Sequence, residues 1–172
     1  MKKLLLILLF AAAVMPAVAQ KYTFGIGGRA GKFYTGATMK FVFDTDNSSS
    51  LQLDILYANV ASGGYVVKGM YEKQVPFKIP IVQLPLDFVY GGGVHAGYFP
   101  YEPQGYYKRV KTDASYYTKS VVTIGADVTV QIEYKIPKVP VTLGIEAVPF
   151  YEFVNPGPEF VDFGVSIRYV FR

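Results

Sequence analysis

From Val161 to Phe171 the chain alternates strictly: Val161, Phe163, Val165, Ile167, Tyr169 and Phe171 fall on one face, and Asp162, Gly164, Ser166, Arg168 and Val170 on the other. A period of two is the signature of a strand with two unlike faces, because successive side chains point to opposite sides of the pleat. The pattern returns in Val122–Lys135, where Val122, Ile124, Ala126, Val128, Val130, Ile132 and Tyr134 oppose Thr123, Gly125, Asp127, Thr129, Gln131, Glu133 and Lys135. It returns again in Val141–Tyr151, where Thr142, Gly144 and Glu146 oppose Val141, Leu143 and Ile145. No segment of useful length after the N-terminal run repeats at the helical period.

Five earlier segments carry the same writing with more noise: Tyr22–Gly31, Phe33–Phe43, Leu51–Tyr57, Tyr65–Val75 and Leu86–Tyr98. In the first, Tyr22, Phe24 and Ile26 stand against Thr23, Gly25, Gly27 and Arg29. The total is eight strands, an even number. Most reach the roughly 9–11 residues that let a tilted strand cross a membrane. Only 17% of residues are charged while 51% are hydrophobic, against about 25% charged in an average soluble domain. A barrel in lipid turns its apolar face outward and closes its edges, since unpaired backbone groups cannot face hydrocarbon. The expected fold is therefore all-β, an antiparallel up-and-down transmembrane β-barrel of eight strands. Tyr22, Phe43, Tyr57, Tyr98, Tyr134, Tyr151 and Phe171 lie near strand ends, where aromatic girdles belong. The outer loops are expected near Gly31–Phe33, Ala58–Gly64, Phe99–Ser120 and Glu152–Glu159, and the periplasmic turns at Asp44–Ser50, Pro76–Pro85 and Pro137–Val139.

The N-terminus reads as an export signal. Lys2 and Lys3 precede the apolar run Leu4–Val14, and Ala17-Val18-Ala19 forms a small-residue cleavage site. The expected division is a signal peptide at 1–19 and a barrel domain at 20–172. The apolar run is too short for a transmembrane helix. Cysteine is absent, which excludes a disulfide framework and thiol chemistry. Without the two signal lysines the charges nearly balance, so nothing in the charge points to nucleic acid.

The stretch Asp162-Phe163-Gly164-Val165-Ser166-Ile167-Arg168-Tyr169 resembles the C-terminal assembly signal of outer-membrane barrels, with Phe171 penultimate rather than last. Together with Gly91-Gly92-Gly93-Val94-His95-Ala96-Gly97, Gly125-Ala126-Asp127 and Ile132-Glu133-Tyr134-Lys135, it resembles the small eight-stranded outer-membrane barrel proteins of the OmpA and OmpX kind. The resemblance implies residence in a bacterial outer membrane, lipid and lipopolysaccharide as surroundings, and the barrel-assembly machinery as a partner of the last strand. It implies no activity, because fold does not fix function.

Candidate functional residues fall in two groups. Arg29, Lys40, Asp54, Lys68, Glu72, His95, Asp127, Glu133, Glu146 and Arg168 are expected inside. An eight-stranded barrel has just enough room for side chains to fill it, and buried charges there must pair. Glu146 and Arg168 are expected on adjacent strands, with Arg29 on the strand that closes the barrel against them. The second group is Tyr106, Tyr107, Lys108, Arg109, Lys111, Tyr116 and Tyr117 in the third outer loop. Interleaved tyrosine and basic residues suit phosphate-bearing lipopolysaccharide or a protein surface; the same segment also reads as an extension of its flanking strands.

His95 is the sole histidine. Ala96 and Gly97 follow it, so it lacks the neighbouring serine of lipid A deacylase barrels. Ser115 and Ser120 are tied to it by no motif, and a base without a nucleophile makes no hydrolase. Gly25-Ile26-Gly27-Gly28 lacks dinucleotide spacing. The expectation is thus a non-enzymatic outer-membrane protein without cofactor or metal, serving envelope integrity or surface contacts. The alternatives are a lipid A-modifying enzyme, a narrow channel, or a soluble lipocalin-like binder with the apolar face inside. The absence of Trp removes the usual lipocalin tryptophan.

Overall fold

The structure is a computed structural model that describes residues 22–43, 49–59, 63–78, 84–100, 120–154 and 160–171. The expected signal peptide and the named residues of the third outer loop lie outside these. The described residues form eight strands in chain order: β1 (Phe24–Gly31), β2 (Tyr34–Val42), β3 (Ser49–Ala58), β4 (Tyr65–Lys78), β5 (Pro85–Phe99), β6 (Val121–Lys135), β7 (Val141–Val154) and β8 (Phe160–Phe171). Each pairs with its sequence neighbours, and β1 pairs antiparallel with β8 from Phe24↔Phe171 to Gly31↔Gly164, which closes the barrel. Closure leaves no free sheet edge.

The barrel is inside out relative to a soluble protein. Ile55, Val67, Val94, Val128, Ile145, Phe163, Val165 and Ile167 are exposed, while every one of the ten predicted inward charges is buried. Ile145 is 69% exposed and its neighbour Glu146 only 2%, so the alternation puts carboxylate in and hydrocarbon out. A soluble lipocalin-like arrangement requires the reverse. Phe43, Tyr57, Tyr98, Tyr151 and Phe171 are exposed near the two ends. Tyr57 and Tyr65 meet edge to face at 5.6 Å at the end remote from the termini.

The sequence reading needs correction at several ends. Tyr22 is not an outward girdle residue: it is 1% exposed, and a bend at Thr23 shifts the alternation before β1 begins. Glu152 is not in a loop, because β7 continues to Val154. The β4–β5 hairpin is longer than expected: β4 runs through Pro76, opposite Asp87, to Lys78. The Ile136–Pro140 connection is a tight turn in which Val139 N donates to Ile136 O and Lys138 adopts φ 69°.

Two apolar clusters of buried residues lie toward the two ends of the lumen. Tyr34, Leu56, Ala58, Val66, Phe99 and Phe150 form one at the end remote from the termini. Tyr22, Val42 and Val170 form the other at the termini end. Buried charged side chains fill the lumen alongside them.

Candidate functional site: the polar lumen

Glycine sets where charged side chains fit. Across the strand pairs, Arg168 faces Gly27, Glu72 faces Gly91, His95 faces Gly125, Glu133 faces Gly144 and Glu146 faces Gly164. A Cβ at Gly27 or Gly91 would run into the neighbouring strand's backbone, and one at Gly125 would meet the His95 ring. Large opposite small is how a narrow barrel is filled without overpacking.

Arg168 is the hub of the termini-end layer. Its Nη2 donates to Gln52 Oε1 at 2.6 Å, its Nη1 to Glu133 Oε2 at 3.3 Å and its Nε to Thr38 Oγ1 at 3.3 Å. One side chain thus joins β8 to β3, β6 and β2. Lys40 Nζ lies 2.9 Å from Glu72 Oε2 and 3.4 Å from Glu133 Oε2, and Tyr22 Oη donates to Glu133 Oε1 at 2.8 Å. Asp54 accepts from Gln52 Nε2 at 3.0 Å. At the rim, Lys135 Nζ reaches Asp87 Oδ2 at 2.6 Å.

The outer layer has two centres. Arg29 pairs through Nε with Glu146, and its Nη2 lies 2.9 Å from Asp162 Oδ2. The other oxygen of Asp162 accepts from Phe33 N at 2.8 Å, which ties the β1–β2 turn to β8. Glu146 and Arg168 do not pair: Glu146 faces Gly164 and Arg168 faces Thr142, four residues apart along β8. In the second centre, His95 stands between two acids. Nδ1 is 2.7 Å from Asp127 Oδ2, and Nε2 is 3.1 Å from Glu152 Oε2. Lys68 Nζ holds the other Asp127 oxygen at 2.8 Å and sits 4.8 Å and 5.2 Å from the ring centres of Tyr34 and Phe150.

The lumen therefore brings together all ten predicted charges and adds Gln52, Glu152, Asp162, Asp87 and Tyr22. Alternation had put Gln52 and Asp162 on the polar faces, so their inward direction was readable although their partners were not. What the arrangement does chemically is bind itself. Taking one partner out of a buried pair typically costs roughly 3–5 kcal/mol, so the crossing pairs resist strand separation. His95 thus stands between two carboxylates, with Nδ1 hydrogen-bonded to Asp127 and Nε2 within ion-pair distance of Glu152.

No family model and no curated protein matches the sequence. Among solved structures, the N-terminal β-barrel domain of Pseudomonas aeruginosa OprF superposes with a TM-score of 0.61 at 12% identity, covering 87% of this chain and 100% of that one. At that identity the likeness speaks for the fold alone: this chain folds as a closed eight-stranded antiparallel barrel of the small transmembrane type.

Proposed function

We propose that the protein is a non-enzymatic β-barrel of the bacterial outer membrane that contributes to envelope integrity or to surface contacts through its outer loops. The observation that carries the reading is the inversion of burial: charge inside, a hydrocarbon band outside, and no open edge. Such a surface is stable only in lipid. Export by the 1–19 signal and docking of β8 on the barrel-assembly machinery belong to the same proposal. So does contact of the Tyr106–Tyr117 segment with lipopolysaccharide or a surface partner. The apolar clusters and paired charges that fill the lumen favour a plug over a channel. They equally favour a structural His95 over a lipid A-modifying one.

The test is envelope fractionation followed by electrophoresis of boiled and unboiled samples. The protein is expected in the outer-membrane fraction, with a folded form that migrates differently from the boiled one. Recovery as a soluble periplasmic protein without a mobility shift refutes the proposal.

A further inference from the structure

We propose that His95 is a proton-dependent latch that holds the outer end of β7 against β5 and β6. Glu152 is the last inward side chain that the structure describes on β7. Just beyond it the ladder slips by one residue, from Gly125↔Glu152 to Ile124↔Val154. Phe153 and Val154 consequently both face out. Past the slip the strand has no inward anchor among the described residues, so the grip of Glu152 fixes how the end of β7 sits.

That grip runs through one ring. The charged groups facing His95 are Lys68 from β4, Asp127 from β6 and Glu152 from β7. Lys68 is turned to the far oxygen of Asp127, so His95 is the cation within reach of Glu152 among the described residues. A neutral imidazole has a single N–H and can serve one carboxylate only. Its other nitrogen would aim a lone pair at an oxygen 2.7 or 3.1 Å away. With both acids ionised, only the doubly protonated ring can serve the two at once. The Phe150 ring, edge-on to His95 at 5.8 Å, and the bare backbone of Gly125 beneath it leave the imidazole little room to turn. When the proton leaves, Asp127 keeps Lys68 while Glu152 is left as a buried carboxylate without a cation. Such a group moves toward water, and the end of β7 goes with it.

Because the protein has one histidine, the ring nitrogen NMR spectrum of the purified barrel in detergent micelles reports this residue alone. At pH 7 it is expected to show the imidazolium form, with protected backbone amides from Phe150 to Val154. Carrying the ring to its neutral form by raising the pH should lower that protection by about tenfold or more. The amides of Gln131 and Arg168, in the other layer, should keep theirs. His95→Gln and Glu152→Gln should each show the lowered protection already at pH 7. A neutral tautomer at pH 7, or protection at Phe150–Val154 that survives ring deprotonation, overturns the proposal. The wild-type titration alone decides it if a variant fails to fold.

Discussion

Arg168→Ala is the most informative single change. The side chain is fully buried and donates to Gln52, Glu133 and Thr38, so its loss cuts the link from β8 to three other strands. Breaking a buried pair by removing one partner costs roughly 3–5 kcal/mol. Glu133 is not wholly abandoned, because Lys40 at 3.4 Å and the Tyr22 hydroxyl at 2.8 Å remain. The expected loss is therefore at the low end, about 3 kcal/mol. Glu133→Gln in the same background should recover part of it, with a coupling of roughly 0.5–3 kcal/mol in a double-mutant cycle. The protein has no Trp, so the natural assay is the fraction of folded, fast-migrating band on an unboiled gel as urea is raised in micelles. An unchanged slope with a lowered midpoint reports stability itself. A loss below about 1 kcal/mol, the range of exposed ion pairs, would refute the claim that the arginine bolts the lumen together.

Three further changes test other parts of the structure. Gly27→Val places carbon atoms where the β8 backbone runs at Ile167; the heat-shifted folded band should disappear, and a normal folded fraction would show that β1 and β8 are not paired as described. Val128→Arg introduces charge at the middle of β6 on a side chain 54% exposed; folding into bilayers should lose about 2–4 kcal/mol, whereas no loss would mean that this face does not meet lipid. Asp54→Asn keeps an acceptor for Gln52 while removing a charge that no cation holds within ion-pair distance among the described residues; stability measured by the same gel assay should stay within about 0.5 kcal/mol or rise, and a loss above about 2 kcal/mol would mean that the charge is needed.

The fold was legible because two constraints agree along most of the chain. Alternation assigns every side chain in Val161–Phe171 to a face, and the low charge content says which face meets the surroundings. Legibility failed where backbone irregularity breaks the period. The bend at Thr23 sends Tyr22 inward, and the slip after Glu152 hides an inward carboxylate in what reads as the start of a loop. Membership of the lumen could be read from sequence, but partnership could not. Glu146 and Arg168 lie on adjacent strands, yet the antiparallel register sets them in different layers, and Arg29 takes Glu146 instead. The glycines were visible as a crowded face; that five of them stand opposite a particular large side chain follows only from the register.

The pairs that span the lumen also divide the chain into unequal halves. On β1–β4 the buried charges are Arg29, Lys40 and Lys68 against Asp54 and Glu72. On β5–β8 they are Asp87, Asp127, Glu133, Glu146, Glu152 and Asp162 against Arg168 and His95, with the half-buried Lys135 held on Asp87. The first half owns the cations that the second half lacks: Arg29, Lys40 and Lys68 each reach an acid beyond β5. Neither half can neutralise its interior alone, and two copies of the second half would repel each other. Charge balance and ring closure thus arrive in the same step. A half-built curl of strands carries a penalty into the membrane that only its own other half removes.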